Sequence, residues 1–299
     1  MSPLKGDSFD YDKAFSRNLG LVQPEEQSRL RRSVVAIAGL GGVGGIHAVT
    51  LARMGISRFH LADFDRFEIH NFNRQVGAET DSIGREKVDV MVERVLKINP
   101  EAEIRSFPEG VTKENVDAFL DGVDVVVDGL DFFVLEAREI LFDAAARLKI
   151  PLVTAGPIGM SVAWLTFVPG GMGWREYFRF DLGKTFLEKI ILFAIGLTPR
   201  ATQLSYIDRR YVDLTAKRGP SLALAVQLCA GVAAGEVLKR ILGRGRVNPA
   251  PRYHQFDVYK DQYLTGTLRW GNAGWIQRIR FFVARKWLSK KNERPLPRA

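Results

Sequence analysis

A glycine-rich turn between a strand and a helix limits this chain to a small group of folds. An apolar run at residues 33–38 is followed by Gly39, Gly41 and Gly44 in the spacing G-x-G-x-x-G, with Gly42 between them. Backbone N–H groups at such a turn, and at the start of the helix behind it, bind phosphate groups. The turn alone fits a dinucleotide such as NAD and ATP equally well, so other residues must separate the two.

Strands alternate with helices through the first half of the chain. Buried strands are predicted at residues 33–38, 58–63, 102–108, 123–130 and 150–156, and helices at 44–54, 84–100 and 135–149. This alternation predicts an α/β fold with a doubly wound, mostly parallel sheet of the Rossmann-like type. Residues 171–220 are predicted to be irregular, and residues 221–242 to form a long helix rich in small side chains.

Polar and charged side chains follow the second and fourth predicted strands. They are Asp63, Asp65, Asn71, Asn73, Arg74 and Gln75, then Lys87 at the start of the next helix, and Asp128 and Asp131 after the fourth strand. In an open α/β sheet, ligands bind at the carboxyl ends of the strands. Cationic side chains bind phosphate oxygens and a carboxylate can hold Mg²⁺. This combination favours ATP and nucleotidyl transfer over hydride transfer.

These motifs together resemble the ThiF/MoeB family of adenylating enzymes, which are relatives of the ubiquitin-activating enzyme. The matching segments are GLGGVG at 39–44, DFD at 63–65, NFNRQ at 71–75, GREK at 84–87, INP at 98–100 and DGLD at 128–131, with a looser match for SRN at 16–18. The resemblance covers about residues 11–260. It implies an adenylyltransferase that uses ATP and Mg²⁺ to convert a carboxylate into an acyl adenylate, with release of pyrophosphate.

The resemblance also implies which residues bind the nucleotide. They are Gly39, Gly41, Gly42, Gly44, Asp63, Asp65, Asn71, Asn73, Gln75 and Asp128. Within this set the glycines would admit the phosphates close to the backbone, and Asp63 would bind the ribose. Asp128 would be a supporting partner of the metal ligand.

Four residues are implied to be catalytic. Arg74 and Lys87, with Asn71, would hold the triphosphate, and Asp131 would bind Mg²⁺. The fourth, Arg17, would reach into the site of a neighbouring subunit of a two-fold homodimer.

The single cysteine of the chain, Cys229, lies in an apolar stretch. One buried cysteine offers neither a disulfide nor the paired cysteines of a zinc site. We therefore expect no structural zinc and no covalent thioester step. The N-terminal stretch has no apolar signal segment, so we expect a cytoplasmic protein.

The net charge of +9 is concentrated at the C-terminus. Residues 266–299 contain nine arginines and lysines against one glutamate, and therefore carry eight of the nine net charges. The sequence accordingly predicts an adenylation domain at 1–265, with an N-terminal arm at 1–32 and a substrate-covering segment at 171–220, followed by a basic tail at 266–299.

The tail contains a predicted basic amphipathic helix at residues 275–291. Its apolar face is formed by Ile276, Ile279, Val283 and Trp287. Such a helix can dock on its own domain, lie on an anionic membrane such as the inner membrane surface, or bind RNA phosphates.

The sequence is compatible with three functions. The first choice is activation of the C-terminal carboxylate of a small ubiquitin-like or sulfur-carrier protein. The second is a tRNA threonylcarbamoyladenosine dehydratase, which VMVERVLKINP at 90–100 and IPLVTAG at 150–156 resemble. The third is a membrane-associated scaffold with a vestigial nucleotide site, although the intact set of Arg74, Lys87 and Asp131 favours an enzyme.

Overall fold

A single sheet of eight strands runs through the protein. The structure, a computed structural model, describes residues 8–214 and 216–291, with side chains through Lys286. The strands are β1 (Val34–Ala38), β2 (Arg58–Ala62), β3 (Glu103–Phe107), β4 (Val125–Asp128), β5 (Leu152–Ile158), β6 (Ser161–Phe167), β7 (Arg252–Asp257) and β8 (Gln262–Thr267).

The sheet order is β3-β2-β1-β4-β5-β6-β7-β8. Strands β1 to β5 are parallel to one another, and β6, β7 and β8 each pair antiparallel to the strand before them. The α/β fold with a mostly parallel, doubly wound sheet is therefore confirmed. The order of the strands reverses between β1 and β4, which places a ligand crevice outside the carboxyl ends of these two strands.

Helices cover both faces of the sheet. They are α1 (Tyr11–Ala14), α2 (Pro24–Arg32), α3 (Gly42–Arg53), α4 (Lys87–Ile98), α5 (Val116–Phe119), α6 (Leu135–Arg147), α7 (Trp174–Phe178), α8 (Phe186–Leu197), α9 (Ala223–Leu242) and α10 (Trp275–Lys291). None of these helices in the described part of the chain is both long and apolar enough to cross a membrane.

Two apolar cores lie on opposite sides of the sheet because successive residues of a strand point to opposite faces. In β1, Val35 and Ile37 pack in the core of α3, α4 and α9, whereas Ala36 and Ala38 pack in the core of α6, α7 and α8. The crevice at the end of β1 therefore lies between two fully formed layers.

The segment at 171–220 is more ordered than predicted. Residues 174–197 contain α7 and α8, which bury aromatic side chains such as Tyr177, Phe178 and Phe193. Helix α8 is apolar on nearly all sides, so its sequence has no polar face from which its period could be recognised. In the described residues between α8 and α9, short 3₁₀ turns follow at Thr202–Ser205 and Arg209–Tyr211. A substrate-covering role for the segment stays a prediction.

The ends of the predicted domain also differ from the structure. The division between residues 265 and 266 falls inside β8, which pairs with β7 through Thr267. At the other end, the N-terminal arm is packed against the carboxyl end of α3, where the Tyr11 hydroxyl donates to the Gly55 carbonyl oxygen at 2.6 Å. The arm and the first part of the tail thus belong to the body of the protein.

Candidate nucleotide-binding site

The glycine turn after β1 packs directly on the backbone that follows β4. Gly39 has a φ of +83°, and a Cβ at this position would lie 2.5 Å from the Gly129 carbonyl oxygen. A Cβ on Gly44 would lie 1.6 Å from the Gly39 carbonyl oxygen. Neither position can carry a side chain without displacing backbone. The spacing of the glycines therefore serves the close contact between β1, α3 and β4 as well as the approach of a ligand.

Two helix N-termini meet at this turn. Helix α3 begins at Gly42, and a Cβ built there would lie 3.6 Å from a methyl carbon of Val226, in the first turn of α9. Neither helix has a side-chain hydrogen bond that caps its N-terminus. The first N–H groups of a helix lack partners inside the helix and carry partial positive charge. Together they favour an anionic ligand at this edge of the sheet.

Arg74 lies against the start of α3. Its side-chain Cγ is 3.8 Å from the Cβ position of Gly42, and its Nη1 donates to His70 O and Asn73 Oδ1, both at 3.0 Å. Among the residues that the structure describes, no carboxylate forms an ion pair with Arg74. Asn73 in turn donates from Nδ2 to the Ser221 carbonyl oxygen at 2.9 Å, which ties this loop to the start of α9.

Asp63, Asp65 and Lys87 form one connected group behind the turn. Asp63 is buried and accepts from Leu40 N at 2.5 Å and from Asp65 N at 2.8 Å. Burial raises the pKa of the Asp63 carboxyl, and the nearby Lys87 ammonium opposes this rise. Lys87 Nζ lies 2.9 Å from Asp65 Oδ2 and its side chain is buried. At the end of β2 the Lys87 ammonium is thus paired with the Asp65 carboxylate, and the backbone of Asp65 is in turn bonded to the Asp63 carboxylate.

The loop that carries Arg74 also positions Asn71 and Gln75. Asn71 is buried, and its Oδ1 accepts from Glu68 N at 3.0 Å, so its side chain stabilises the loop itself. Gln75 is buried beside Gly41, and its Oε1 has no hydrogen-bond partner. A buried acceptor without a partner costs free energy, so Gln75 is a buried polar side chain beside the glycine turn whose hydrogen bonding is incomplete within the chain.

Asp128 and Asp131 lie at the end of β4 but differ in surroundings. Asp128 is buried, and its Oδ2 accepts from Arg138 Nε at 2.9 Å and from Thr154 Oγ1 at 2.8 Å. Asp131 is exposed, and one of its carboxylate oxygens accepts from Phe133 N at 2.9 Å. The structure therefore gives Asp128 a supporting position and leaves Asp131 accessible.

Arg17 does not join this group within one chain. It is exposed in the turn at Ser16–Asn18, where Asn18 Nδ2 donates to Met54 O at 3.1 Å, at the carboxyl end of α3. The glycine turn is at the other end of this helix, about 18 Å away at 1.5 Å per residue. A catalytic role for Arg17 therefore requires a neighbouring subunit, and stays a prediction.

The sequence model of the ThiF family matches most of the chain, from residue 15 to residue 272. The chain belongs to the ThiF family. This finding confirms the resemblance that the motifs indicated.

Individual members resemble the chain over part of their length. A tRNA threonylcarbamoyladenosine dehydratase of Bacillus subtilis is 37% identical over 142 residues, which is 47% of this chain and 55% of that protein. A sulfur carrier protein adenylyltransferase of Thermus thermophilus is 36% identical over 132 residues, 44% of this chain and 48% of that protein. The chain thus spans about half the length of the curated relatives it matches.

The fold is also that of a solved structure, E. coli MccB with ATP. The two superpose with a TM-score of 0.62 at 20% identity, over 85% of this chain and 69% of that one.

Arg138 supports the candidate site from a distant helix, although the sequence motifs do not include it. In α6 its guanidinium donates to the carbonyl oxygens of Leu130 at 2.8 Å and Asp131 at 3.0 Å, in addition to Asp128. It thereby fixes the loop that presents Asp131. A signal was present, because Arg138 falls on the same helical face as the apolar Leu141 and Phe142, and a cation on a buried face needs a partner.

Replacing Arg138 with methionine is expected to lower the free energy of unfolding by about 3 kcal/mol, because the Asp128 carboxylate would remain buried without its cation. Urea unfolding measures this change. The matched control is Arg58→Met, which removes an exposed arginine paired with Glu103 and should cost less than about 1 kcal/mol. Equal losses in the two variants would show that the Asp128–Arg138 pair is not buried as described.

Proposed function

We propose that this ThiF-family protein binds ATP at the glycine turn and transfers its adenylyl group to a carboxylate. A carboxylate oxygen of the substrate attacks the α-phosphorus, the bond from the α-phosphorus to the oxygen that bridges it to the β-phosphorus breaks, and pyrophosphate leaves. The observation that carries the proposal is Arg74, a guanidinium without an ion-pair partner among the described residues, beside two uncapped helix N-termini. Such a site stabilises the charge of a leaving pyrophosphate.

Magnesium fits this arrangement through Asp131. Mg²⁺ is commonly held by one or two carboxylates together with substrate phosphates and waters, so one exposed carboxylate beside the phosphate site suffices. Among the described residues, no three histidine, cysteine, aspartate or glutamate side chains cluster around a common point. The bound metal would neutralise charge on the phosphates.

For the substrate we propose the threonylcarbamoyl carboxylate of a modified tRNA adenosine. The Bacillus subtilis relative that bears the dehydratase name supports this choice. Adenylation of a carboxylate, followed by attack of a neighbouring nucleophile and loss of AMP, removes the elements of water overall. This chemistry fits a dehydratase that uses ATP.

The second candidate substrate is the C-terminal carboxylate of a small sulfur-carrier or ubiquitin-like protein, supported by the Thermus thermophilus relative. Neither substrate would become covalently linked to the enzyme. Cys229 is completely buried in α9, and burial raises the pKa of its thiol, so it is poorly suited to accept an acyl group. Assembly into a homodimer, with Arg17 acting across the interface, belongs to the same proposal.

Two measurements on the full chain test the proposal in sequence. Calorimetric titration should give binding of Mg-ATP and none of NAD, and binding of NAD alone would overturn the assignment of the site. AMP release is then measured with tRNA containing threonylcarbamoyladenosine, with unmodified tRNA, and with a carrier protein ending in Gly-Gly. Release with the modified tRNA alone supports the first substrate, whereas release with the carrier alone replaces it by the second.

A further inference from the structure

Helix α10 is held on its own domain by polar side chains. The buried Gln277 donates from Nε2 to Ile195 O at 2.8 Å and to Asn272 Oδ1 at 2.9 Å. Asn272 is buried too, and its Nδ2 donates to Phe178 O at 2.8 Å and Leu192 O at 2.7 Å. The first of the three possibilities for the tail, docking on its own domain, is therefore what the structure has.

Docking leaves the apolar side of α10 uncovered. Phe281 packs against the core of the domain, but five other large apolar side chains of the helix are 46–68% exposed, namely Trp275, Ile276, Ile279, Phe282 and Val283. Three of them belong to the apolar face that the sequence predicts, and the side chain of the fourth member of that face, Trp287, lies outside the described residues. Adjacent exposed side chains of this size mark an interaction surface more often than a solvated one. We call these five residues the α10 apolar face.

The charged side chains that α10 itself contributes are all cationic. Arg278, Arg280, Arg285 and Lys286 lie on the same helix, and α10 contains no aspartate or glutamate. From α8, Glu188 forms an ion pair with Arg285, at 3.5 Å between Oε1 and Nη1. An aromatic and aliphatic surface bordered by arginine and lysine matches the interface of an anionic bilayer, which takes up apolar side chains and attracts the cations.

Other occupants match this surface less well. A second copy of the chain, paired by a two-fold axis, would place the same cations against each other, which is unfavourable. The phosphates of an RNA would pair with the cations, but they would offer no apolar surface on which the five apolar side chains could pack. We propose that the α10 apolar face binds the surface of an anionic lipid bilayer and so holds the enzyme at a membrane as a peripheral protein.

The location of the surface separates this proposal from the nucleotide site. Helix α10 packs on α8, in the layer on the opposite side of the sheet from α3 and α9. Membrane binding therefore does not depend on the residues of the glycine turn, and it goes beyond the proposed function.

Flotation of the full chain with vesicles tests the proposal. The protein should float with vesicles of phosphatidylcholine mixed with phosphatidylglycerol, and at least about tenfold less with phosphatidylcholine alone, since several cations contribute. The double variant Ile279→Glu/Val283→Glu should lower binding to the mixed vesicles by about tenfold or more. The variant Arg278→Gln should weaken binding to the mixed vesicles and leave the residual binding to phosphatidylcholine unchanged.

The matched control is the double variant Leu21→Glu/Val247→Glu. It makes the same change of charge at two other exposed apolar residues, on the side of the sheet that carries α9. It should bind vesicles like the original protein. Equal losses in the two double variants, failure of the original protein to float, or displacement of the protein from vesicles by tRNA at equal phosphate concentration would each overturn the proposal. Thermal unfolding and Mg-ATP titration of every variant check that the fold is intact.

Discussion

Replacing Gly44 with alanine is expected to abolish detectable binding of Mg-ATP and to lower the free energy of unfolding by about 4 kcal/mol or more. The new Cβ would lie 1.6 Å from the Gly39 carbonyl oxygen and 3.4 Å from Gly129 Cα. The obstructing atom is backbone and cannot rotate away, so the turn after β1 must separate from α3. Overpacking against backbone is among the most costly single changes in a protein interior.

Gly231→Ala is the matched control for this change. Gly231 lies within α9 with an ordinary helical backbone, and no heavy atom outside the helix backbone lies within 4 Å of its Cβ position. Its free energy of unfolding should change by less than about 1 kcal/mol. Urea unfolding and calorimetric titration of both variants provide the comparison. If Gly44→Ala retained the stability and ATP affinity of the original protein, the close contact between the turn and α3 would be wrong.

The sequence predicted the parallel part of the fold because its strands are apolar runs with clear ends. β1 and β4 consist of valine, isoleucine and alanine up to the residue before the glycine or aspartate that ends them. β8 was missed, since Gln262–Thr267 is a half-exposed edge strand with few apolar residues. α8 was missed for the opposite reason, because an almost uniformly apolar segment has no period to detect.

For the candidate site, the sequence could supply residues within a motif but not their partners from distant elements. Arg74 and Lys87 were found because each lies in a dense polar stretch close to a strand end. The contacts of Asp128 with Arg138, and of Asn73 with Ser221, join elements that are far apart in the chain. The proximity of the α3 and α9 N-termini likewise depends on how the two helices pack, and a local sequence pattern cannot predict such packing. Tertiary contacts thus decide which predicted residues are free for a ligand.

Replacing Arg74 with alanine is expected to weaken binding of Mg-ATP by about 10- to 100-fold, because up to two charge-assisted hydrogen bonds to phosphate would be lost. AMP formation with the preferred substrate should fall further, by about 10²–10³-fold, since the guanidinium is placed to stabilise charge that develops as pyrophosphate leaves. The fold should be unaffected, as Arg74 is only half-buried and its side chain donates to His70 O and Asn73 Oδ1 within the same loop.

Arg85→Ala is the control for Arg74→Ala, because it removes a second arginine of the same loop region whose guanidinium is already paired with Glu93. Titration calorimetry and AMP release should be nearly unchanged in this variant. A selective loss in Arg74→Ala would assign the unpaired cation beside α3 to the phosphates. Equal behaviour of the two variants would mean that the nucleotide does not contact Arg74, and the triphosphate would then have to be held by Lys87 and the two helix N-termini without it.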